Sequence, residues 1–591
     1  MNKSAITHLQ TDAFLFAITS QTVCIRIKTA KGDVESVQLI HGDPYHWHEE
    51  AWQYQQTPMC HIGADETHDY WEATIFLSFS RLRYGFLLKS KERTIVFTER
   101  GFANKTPTEI SSYFCLPYLH ENDRFQPPAW AKETIWYQIF PERFANGNPD
   151  LSPPNARPWG SEAPKADSFF GGDLQGVIDH LDYLTSLGIS GIYFTPIFKA
   201  FSNHKYDTID YMELDPHFGD EATLKELVKQ CHKRGIKVML DAVFNHSGYY
   251  FPPFQDVLKK GAASRYKNWF HIHQFPIEGE AGKHHYETFA FVPSMPKLNT
   301  SHPEVKAYLL RCARYWLETF DIDGWRLDVA NEVDHAFWRE FRQVVKNIKQ
   351  DAYILGEVWH QANPWLQGDQ FDGVMNYPLT DAIFDFVQHG KSATTFQHAV
   401  TKHLYSYPKL VNEVQFNLLG SHDTPRILSV SGGNKKLVKL SYLLLFSFPG
   451  SPCIYYGDEI GMAGENDPGC RACMVWEEDQ QDQELFQFLQ KLIKLRKTHH
   501  SMGTYDTLQF YDSGTEDVLL YSTSAGGELL LFAVNRRKTE ATVKLPDSLK
   551  SLTFVDVICE SPLQSEELHI EGECFLLLHS VDANKRGQVD K

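Results

Sequence analysis

The chain lacks any uninterrupted apolar run long enough to cross a membrane, and the segment from Met1 to Cys24 has no secretory signal pattern. It also lacks an excess of positive charge. The formal net charge is -18, with 57 Lys and Arg against 75 Asp and Glu. A nucleic-acid or anionic-membrane binder needs a basic face, so we expect no nucleic acid and no membrane as partners.

The 591 residues include ten cysteines, but these form no disulfide framework. Cys470 and Cys473 make one C-x-x-C pair, and no second pair lies nearby to complete a four-ligand zinc site. We therefore interpret both as free thiols and predict a cytoplasmic protein whose cysteines stay reduced.

Hydrophobic residues make up 42% of the chain and charged residues 22%, which is typical of a folded globular protein. Aromatic residues make up 14%, and this fraction has two readings. The rings either fill a large core or provide surfaces on which the apolar face of a sugar packs. Composition alone favours the core.

Both ends of the chain have strand patterns with almost no helical periodicity, over residues 1–125 and 505–585. We predict a β-sandwich at each end. The predicted strands cover 23–27, 73–79 and 84–88 in the first sandwich, and 518–522, 529–534, 541–545 and 574–578 in the second.

Between residues 133 and 504, strand-like and helix-like segments alternate. Eight strand-like segments in this alternation predict a (β/α)8 TIM barrel. The alternative is a doubly wound open sheet, which does not need eight strands. Residues 246–299, after the third strand, lack periodicity and are predicted to be an irregular insertion over the active-site rim. The strands are predicted to begin at Ile135, Gly191, Ile236, Asp323, Ala352, Gly373, Phe416 and Cys453, and the helices to cover 174–187, 221–234, 304–319, 335–348, 436–446 and 484–497.

Three of the predicted strands end on a carboxylate, namely Asp328, Glu357 and Asp423. The carboxyl ends of barrel strands meet at one rim, so these side chains are expected to cluster. Glycosidic bond cleavage requires one carboxylate as acid/base and one as nucleophile. The pattern therefore predicts a glycosidase site.

Neighbouring residues support separate roles for these carboxylates. Arg326 and Asp328 are two residues apart on one strand and share a face, so the guanidinium would keep the carboxylate ionised, as a nucleophile needs. The alternative is a structural ion pair. Trp359 shares a face with Glu357, and its indole would lower the local polarity and favour the protonated form that a general acid needs. The alternative is a rim residue beside a packed aromatic ring.

Other polar residues near the predicted rim have weaker signals. His246 and His422 lack the compact spacing of a metal site, so hydrogen bonding to sugar hydroxyls is the simpler role. Tyr206 either stacks on a sugar ring or belongs to the core. Residues 146–150, Asn-Gly-Asn-Pro-Asp, place oxygen side chains at alternate positions, which suits either calcium or a plain turn.

Four segments, 241–246, 324–332, 356–360 and 421–423, resemble in sequence, order and spacing the four signature regions of the α-amylase family, glycoside hydrolase family 13. Residues 329–332 and 295–299 resemble the subgroup of cyclomaltodextrinases, neopullulanases and maltogenic amylases. The resemblance covers nearly the whole chain, and residues 41–45 and 84–88 extend it to the N-terminal sandwich, which looks like the subgroup's starch-binding-type module.

The resemblance implies a role for each matching residue. Asp328 would be the nucleophile, Glu357 the acid/base, and Asp423 the carboxylate that binds hydroxyls of the distorted sugar. The remaining implied substrate contacts are Arg326, His246 and His422 around the reacting sugar, Tyr206 stacking on it, Asn331 and Glu332 on the leaving-group side, Asp467 and Arg471 on the donor side, Phe289 and Trp359 as aromatic walls, and Tyr377 at the rim.

The resemblance also implies a calcium loop and a homodimer. The calcium ligands would be Asn146, Asn148, Asp150, Gly172 and Asp173, but Leu151 and Ser152 stand where further ligands are expected. Cys473 stands where proline is more usual. In the dimer, the N-terminal module of one subunit would cover the active site of the other.

The implied reaction is retaining hydrolysis of α-1,4-linked glucans, with transglycosylation when a sugar hydroxyl replaces water. The implied substrates are cyclodextrins and maltooligosaccharides, with pullulan and starch also accepted. The alternatives are an α-glucosidase or glucanotransferase of the same family, or an inactive sugar-binding homologue.

Overall fold

We describe a computed structural model of residues 1–278, 284–503, 506–563 and 565–581. Its central feature is a parallel sheet of eight strands. In chain order these are β1 (Trp136–Ile139), β2 (Gly191–Phe194), β3 (Lys237–Ala242), β4 (Gly324–Leu327), β5 (Tyr353–Gly356), β6 (Gly373–Val374), β7 (Phe416–Asn417) and β8 (Ser451–Tyr455).

The sheet closes on itself. The strand order is β6-β5-β4-β3-β2-β1-β8-β7, and a parallel bridge between Met375 and Phe416 joins the two ends. The predicted (β/α)8 barrel is confirmed, and the open doubly wound sheet is excluded. All eight strands begin within two residues of the predicted positions.

The predicted barrel helices are also present. The structure has them at Leu174–Asp179, Leu181–Leu187, Glu221–Lys233, Pro303–Phe320, His335–Ile348, Lys435–Ser447 and Gln483–Thr498. The single helix predicted over 174–187 is wrong in one respect, because it breaks at His180. The His180 ring stacks on the Trp476 indole at 3.7 Å, and its Nδ1 lies 2.8 Å from the Gly176 carbonyl oxygen.

Side-chain caps fix where several of these helices begin. Asp220 accepts from the backbone N–H of Thr223 at 2.8 Å, and Asp334 accepts from that of Phe337 at 2.8 Å. Asp482 caps its helix in the same way through Leu485 at 3.0 Å. A carboxylate here pairs an otherwise free N–H and opposes the helix dipole.

Several elements were not predicted. After β2 a hairpin forms from Phe198–Ala200 and Thr208–Leu214. Two helices, Tyr377–Val387 and Ala393–Tyr405, lie between β6 and β7. Shorter helices are Pro141–Phe144, Lys409–Asn412 and Ile427–Val430.

The insertion after β3 is as irregular as predicted. Its described part contains one α-helix, Pro252–Lys260, two short 3-10 turns, Gly261–Ala263 and Lys267–Trp269, and isolated bridges. One bridge pairs His246 with Lys297, which brings the end of the insertion back to the carboxyl end of β3.

The chain divides into two compact units. One contains Pro127–Thr380 and Val414–His499, and therefore the barrel. The other contains Met1–Gln126, Asp381–Glu413 and the described residues from His500 onward. Among the described residues, no helix is both long and apolar enough to span a membrane.

The second unit contains both predicted β-sandwiches. The N-terminal one has a four-stranded and a six-stranded sheet around a core that includes Ile25, Leu39 and Phe86. The C-terminal one has a five-stranded sheet and a pair, around a core that includes Leu531 and Leu568. The strands are Leu15–Thr19, Thr22–Ala30, Ser36–Gly42, Trp47–His48, Ala51–Trp52, Gln55–Pro58, Cys60–Ala64, His68–Phe76, Leu82–Lys89, Thr94–Thr98, Gly101–Ala103 and Phe114–Leu116, then Thr507–Tyr511, Val518–Ala525, Glu528–Asn535, Ala541–Lys544, Thr553–Asp556, Glu567–Ile570 and Cys574–Val581.

Candidate active site

A single buried guanidinium organises the carboxyl end of the barrel. Arg326, in β4, is completely buried. Its Nη1 lies 2.8 Å from Asp328 Oδ1 and 2.9 Å from Asp241 Oδ2, and its Nη2 lies 2.9 Å from Glu357 Oε2. Three carboxylates from three neighbouring strands therefore meet one cation.

Asp328 follows the last residue of β4 and uses its two oxygens differently. Oδ1 accepts the hydrogen bond from Arg326, as the two-residue spacing predicts. Oδ2 is buried and has no hydrogen-bond partner within the described ranges. Burial raises the pKa of Asp328, and the Arg326 guanidinium opposes that rise. An unpartnered carboxylate oxygen is free to attack an electrophilic carbon.

Glu357 follows β5, and both of its oxygens accept hydrogen bonds. The backbone N–H of Val329 donates to Oε2 at 2.9 Å, and the Trp359 indole N–H donates to Oε1 at 3.2 Å. Trp359 is 49% exposed, and its ring stacks on Tyr377 at 3.8 Å and 9°. The indole thus orients the carboxylate through a hydrogen bond.

Asp241 is a fourth carboxylate of the site, and sequence reasoning gave it no role. It is buried in β3, where it accepts from the Tyr193 hydroxyl at 2.7 Å and the Tyr206 hydroxyl at 2.9 Å, besides Arg326. Burial raises the pKa of Asp241 to about 6, against the lowering effect of Arg326 and the two tyrosines. Asp241 is the first residue of the segment 241–246 that resembles a family signature, and this was the available signal.

Asp423 does not end a strand, contrary to the prediction. Strand β7 ends at Asn417, and Asp423 lies in the loop that follows. Its Oδ2 lies 3.3 Å from His422 Nε2 and its Oδ1 lies 3.4 Å from Arg471 Nη2. Burial raises the pKa of Asp423, and Arg326 and Arg471 oppose this. The predicted neighbourhood is correct although the local structure is a loop.

A chain of hydrogen bonds runs through His422. Gln138 Nε2 lies 2.8 Å from His422 Nδ1, and His422 Nε2 lies 2.6 Å from the Tyr206 hydroxyl, which donates to Asp241. These partners assign the proton of the neutral ring to Nε2. Burial lowers the pKa of His422, and both Arg471 and Arg326 lower it further, so the ring is neutral at pH 7.

Tyr206 stacks on this histidine. The two rings are parallel within 3° at a centroid distance of 5.2 Å. Tyr206 lies between the two strands of the hairpin after β2, so the loop between Ala200 and Thr208 decides where its hydroxyl points.

Arg471 braces the loop that holds His422 and Asp423. Its Nε donates to the His422 carbonyl oxygen at 2.8 Å, and its Nη1 lies 3.0 Å from Asp467 Oδ1. The Cys470 thiol donates to the same carbonyl at 3.2 Å. Cys470 and Cys473 are buried free thiols, which fits the interpretation from sequence.

The insertion contributes a second aromatic contact. Phe289 stacks on His246 at 5.1 Å and 25°. His246 Nε2 is buried and without a hydrogen-bond partner among the residues described, and burial lowers the pKa of His246 to about 3. A neutral ring nitrogen is therefore free to bond a hydroxyl. Farther out, Glu332 pairs with Lys297 at 2.9 Å, and Asn331 is exposed to solvent.

The residues of the predicted calcium loop lie together, and backbone N–H groups already donate to its buried carboxylate, Asp173. The Asp173 carboxylate accepts three backbone N–H groups, from Gly147 at 3.2 Å, Asn148 at 2.7 Å and Gly176 at 2.7 Å. Ser152 accepts from Asn146 Nδ2 at 3.0 Å.

The other side-chain oxygens of this loop have different surroundings. Asn148 Oδ1 accepts from the backbone of Asp150, and the Asp150 side chain is exposed. Asn146 Oδ1 is buried without a partner within the described ranges. Calcium takes about six to eight oxygen ligands. Besides Asp173, the loop offers such an ion the free Asn146 Oδ1, the exposed Asp150 carboxylate and the backbone carbonyl of Gly172.

Known proteins resemble the chain over nearly its full length. The model of the alpha amylase catalytic domain matches residues 138–482, and that of the alpha amylase N-terminal ig-like domain matches residues 1–120. A cyclomaltodextrinase from Geobacillus thermopakistaniensis (strain MAS1) is 57% identical over 560 residues, which cover 94% of this chain and 95% of the relative.

Two further comparisons agree with these. An intracellular maltogenic amylase from Bacillus subtilis (strain 168) is 48% identical over 98% of this chain and 100% of its own. A solved structure of a cyclomaltodextrinase superposes with a TM-score of 0.94 at 47% identity, covering 98% of this chain and 100% of that chain.

Proposed function

Because the chain belongs to the α-amylase family of glycosidases, we propose that it cleaves α-1,4-glucosidic bonds with retention of configuration at the anomeric carbon. One observation carries the proposal: Arg326 holds the Asp328 and Glu357 carboxylates through adjacent nitrogens. In retaining enzymes the two carboxyl groups stand about 5–5.5 Å apart, whereas inverting enzymes leave room for a water molecule between them. A shared guanidinium supports the shorter separation.

In the first step, Asp328 Oδ2 attacks the anomeric carbon while Glu357 protonates the leaving glycosidic oxygen. Oδ2 is the nucleophilic atom because Arg326 occupies Oδ1. The carbon–oxygen bond to the leaving sugar breaks, and an ester between Asp328 and the donor sugar forms.

In the second step, Glu357 takes a proton from water, and the water oxygen displaces Asp328 from the anomeric carbon. A sugar hydroxyl in place of water gives transglycosylation. The Trp359 and Val329 hydrogen bonds keep the Glu357 carboxylate in one orientation through both steps.

We assign the remaining site residues to the sugar. Asp423 and the free His246 Nε2 would bind hydroxyls of the reacting unit, and Tyr206 would stack on its ring. Phe289, Trp359 and Tyr377 would form the walls of the cleft. The remaining assigned contacts are Asp467 and Arg471 on the donor side, and Asn331 and Glu332 on the leaving-group side.

The substrates that we propose are cyclodextrins and maltooligosaccharides, with pullulan and starch also cleaved. The names of the cyclomaltodextrinase and maltogenic amylase relatives support this choice. The name of the Bacillus subtilis relative also supports the cytoplasmic location that we propose. Calcium has no part in the proposal.

We also propose a homodimer in which the N-terminal sandwich of one copy covers the active site of the other. An aromatic groove of about 680 Å³ on this sandwich supports it. Tyr45, Phe76 and Phe79 at the groove are 75%, 66% and 61% exposed, which is unusual for a surface that meets only water.

Light scattering tests the dimer. We expect the wild type to be a dimer. The double variant Phe76→Ser/Phe79→Ser should be a monomer and should prefer cyclodextrin over starch less strongly than the wild type. If the wild type is a monomer and still prefers cyclodextrin over starch, the dimer does not explain that preference.

The Asp328→Asn variant tests the reaction. We expect it to abolish turnover while leaving maltooligosaccharide binding, measured by calorimetry, close to that of the wild type. Substantial remaining turnover would show that Asp328 is not the nucleophile. A wild type that binds sugars without turnover would favour the inactive homologue.

A further inference from the structure

Lys205 is a buried cation in the loop that carries Tyr206, and the mechanism above does not use it. Its side chain is 1% exposed. Its backbone has φ +64°, in the left-handed region that residues other than glycine rarely adopt. Such a conformation persists only where the surrounding structure holds it, and it is concentrated at functional sites.

An equally buried carboxylate holds this cation. Lys205 Nζ lies 2.8 Å from Asp215 Oδ2, and both side chains are 1% exposed. The rings of Phe218 and Phe169 lie 5.2 Å and 5.9 Å from Nζ. Removing one partner of such a pair leaves an uncompensated charge in an apolar surrounding.

Asp215 is itself fixed by the backbone. It accepts from the N–H of Ala200 at 3.1 Å and from that of His217 at 3.0 Å. Burial raises the pKa of Asp215, but His217 and Lys205 bring it below its ordinary value, so the carboxylate is ionised. The ion pair therefore joins the loop at the tip of the hairpin to the residue that follows its second strand.

The two residues beside Lys205 both face the active site. His204 Nδ1 lies 3.1 Å from the backbone nitrogen of Tyr206, and burial lowers the pKa of His204 to about 3, with Arg471 and His422 lowering it further. The Tyr206 hydroxyl reaches Asp241 and His422. The left-handed turn at Lys205 sets the direction of the chain between them.

We propose that Lys205 is a positioning residue: its ion pair with Asp215 holds the turn that presents the Tyr206 ring and hydroxyl to the substrate. The activity assay for this inference rests on the proposed function, because it measures glucan cleavage. It assigns a role in substrate placement to a charge that the substrate does not touch.

The test replaces the charge while keeping the length of the side chain. We expect Lys205→Met to lower kcat/KM by about 100-fold, the loss that a misplacement of about 1 Å can cause. The matched control is Lys199→Met in the same hairpin, because Lys199 forms an exposed pair with Glu213 at 2.9 Å. Such pairs contribute little, and we expect unchanged activity.

A double-mutant cycle separates positioning from plain stability. In a Tyr206→Ala background, Lys205→Met should cause no further loss of kcat/KM, because the residue through which it acts is gone. If the fold losses of kcat/KM in the two single variants multiply in the double variant, the proposal is wrong. Asp215→Asn, which keeps the shape of Asp215, repeats the cycle if Lys205→Met does not fold.

A binding measurement keeps the two proposals distinct. In the Asp328→Asn background, Lys205→Met should weaken maltotetraose binding only when Tyr206 is present. If the wild-type protein binds maltotetraose but does not cleave it, the proposed function is refuted. The binding cycle still tests the positioning role in that case, because it needs no turnover. Equal weakening with and without Tyr206 would refute the positioning role.

Discussion

Replacing Asp241 with Asn should move the acid limb of the activity profile to lower pH. Under the proposed mechanism, we expect activity to fall on acidification when Asp328 takes up a proton. The negative charge of Asp241 raises the pKa of Asp328, after burial and the neighbouring Glu357, while Arg326 opposes them. Removing that charge lowers the pKa of Asp328, so the nucleophile stays ionised at lower pH.

The structure gives the size of the effect. Asp328 Oδ1 and Asp241 Oδ2 lie 2.8 Å and 2.9 Å from the same Arg326 Nη1, so they are at most 5.7 Å apart. At an effective dielectric constant of about 20, two unit charges at that distance repel by about 3 kcal/mol, or about two pH units. Burial raises the pKa of Asp241 to about 6, so Asp241 is only partly ionised in the pH range of the acid limb. We therefore expect a displacement of about one pH unit.

The assay is kcat/KM against pH with a cyclodextrin. Its maximum should also fall, because the hydroxyls of Tyr193 and Tyr206 lose their carboxylate acceptor. The matched control is Asp323→Asn, a buried carboxylate just before β4 that pairs with Lys237 and Lys349 away from the site. The acid limb of the Asp323→Asn profile should stay at the same pH as that of the wild type. An Asp241→Asn limb that stays in place or moves to higher pH would refute the electrostatic account.

Two further predictions concern the calcium loop and the backbone at the nucleophile. EDTA should leave the thermal midpoint unchanged, because Asp173 is satisfied by backbone N–H groups; a fall that calcium reverses would contradict this. Val329 has φ +47°, which is strained for a β-branched residue, so Val329→Gly should raise the free energy of unfolding by about 1 kcal/mol. Urea denaturation measures this, and a lower free energy would show that lost packing outweighs the released strain.

The barrel was predictable because its strands are short apolar runs between amphipathic helices with clear caps. Two helices before β7 were missed although each has a local signal. Tyr377–Val387 is rich in apolar residues, but Asp381 and Asp385 stand four residues apart and mark a polar side. Ala393–Tyr405 does carry a signal, since Ser392 caps it by accepting from the Thr395 N–H at 3.0 Å.

The site was predictable where it depends on spacing along one strand. The contact of Arg326 with Asp328 follows from the two-residue repeat, whereas Glu357 contacts Trp359 just beyond the end of β5. Asp241 was missed because its partners, Tyr193, Tyr206 and Arg326, come from other strands and loops. The Lys205–Asp215 pair was missed for a related reason, since nothing in the local pattern shows that either charge is buried.

The charge count at Arg326 constrains the protonation of the site. One guanidinium meets three carboxylates, Asp241, Asp328 and Glu357, all of them buried. Burial raises the pKa of both Asp241 and Asp328, and the single guanidinium opposes the rise at each, so these two carboxylates compete for a proton. A retaining glycosidase needs its nucleophile ionised while another carboxylate serves as acid. Asp241 competes for that proton, and its removal tests whether the cluster titrates as a unit.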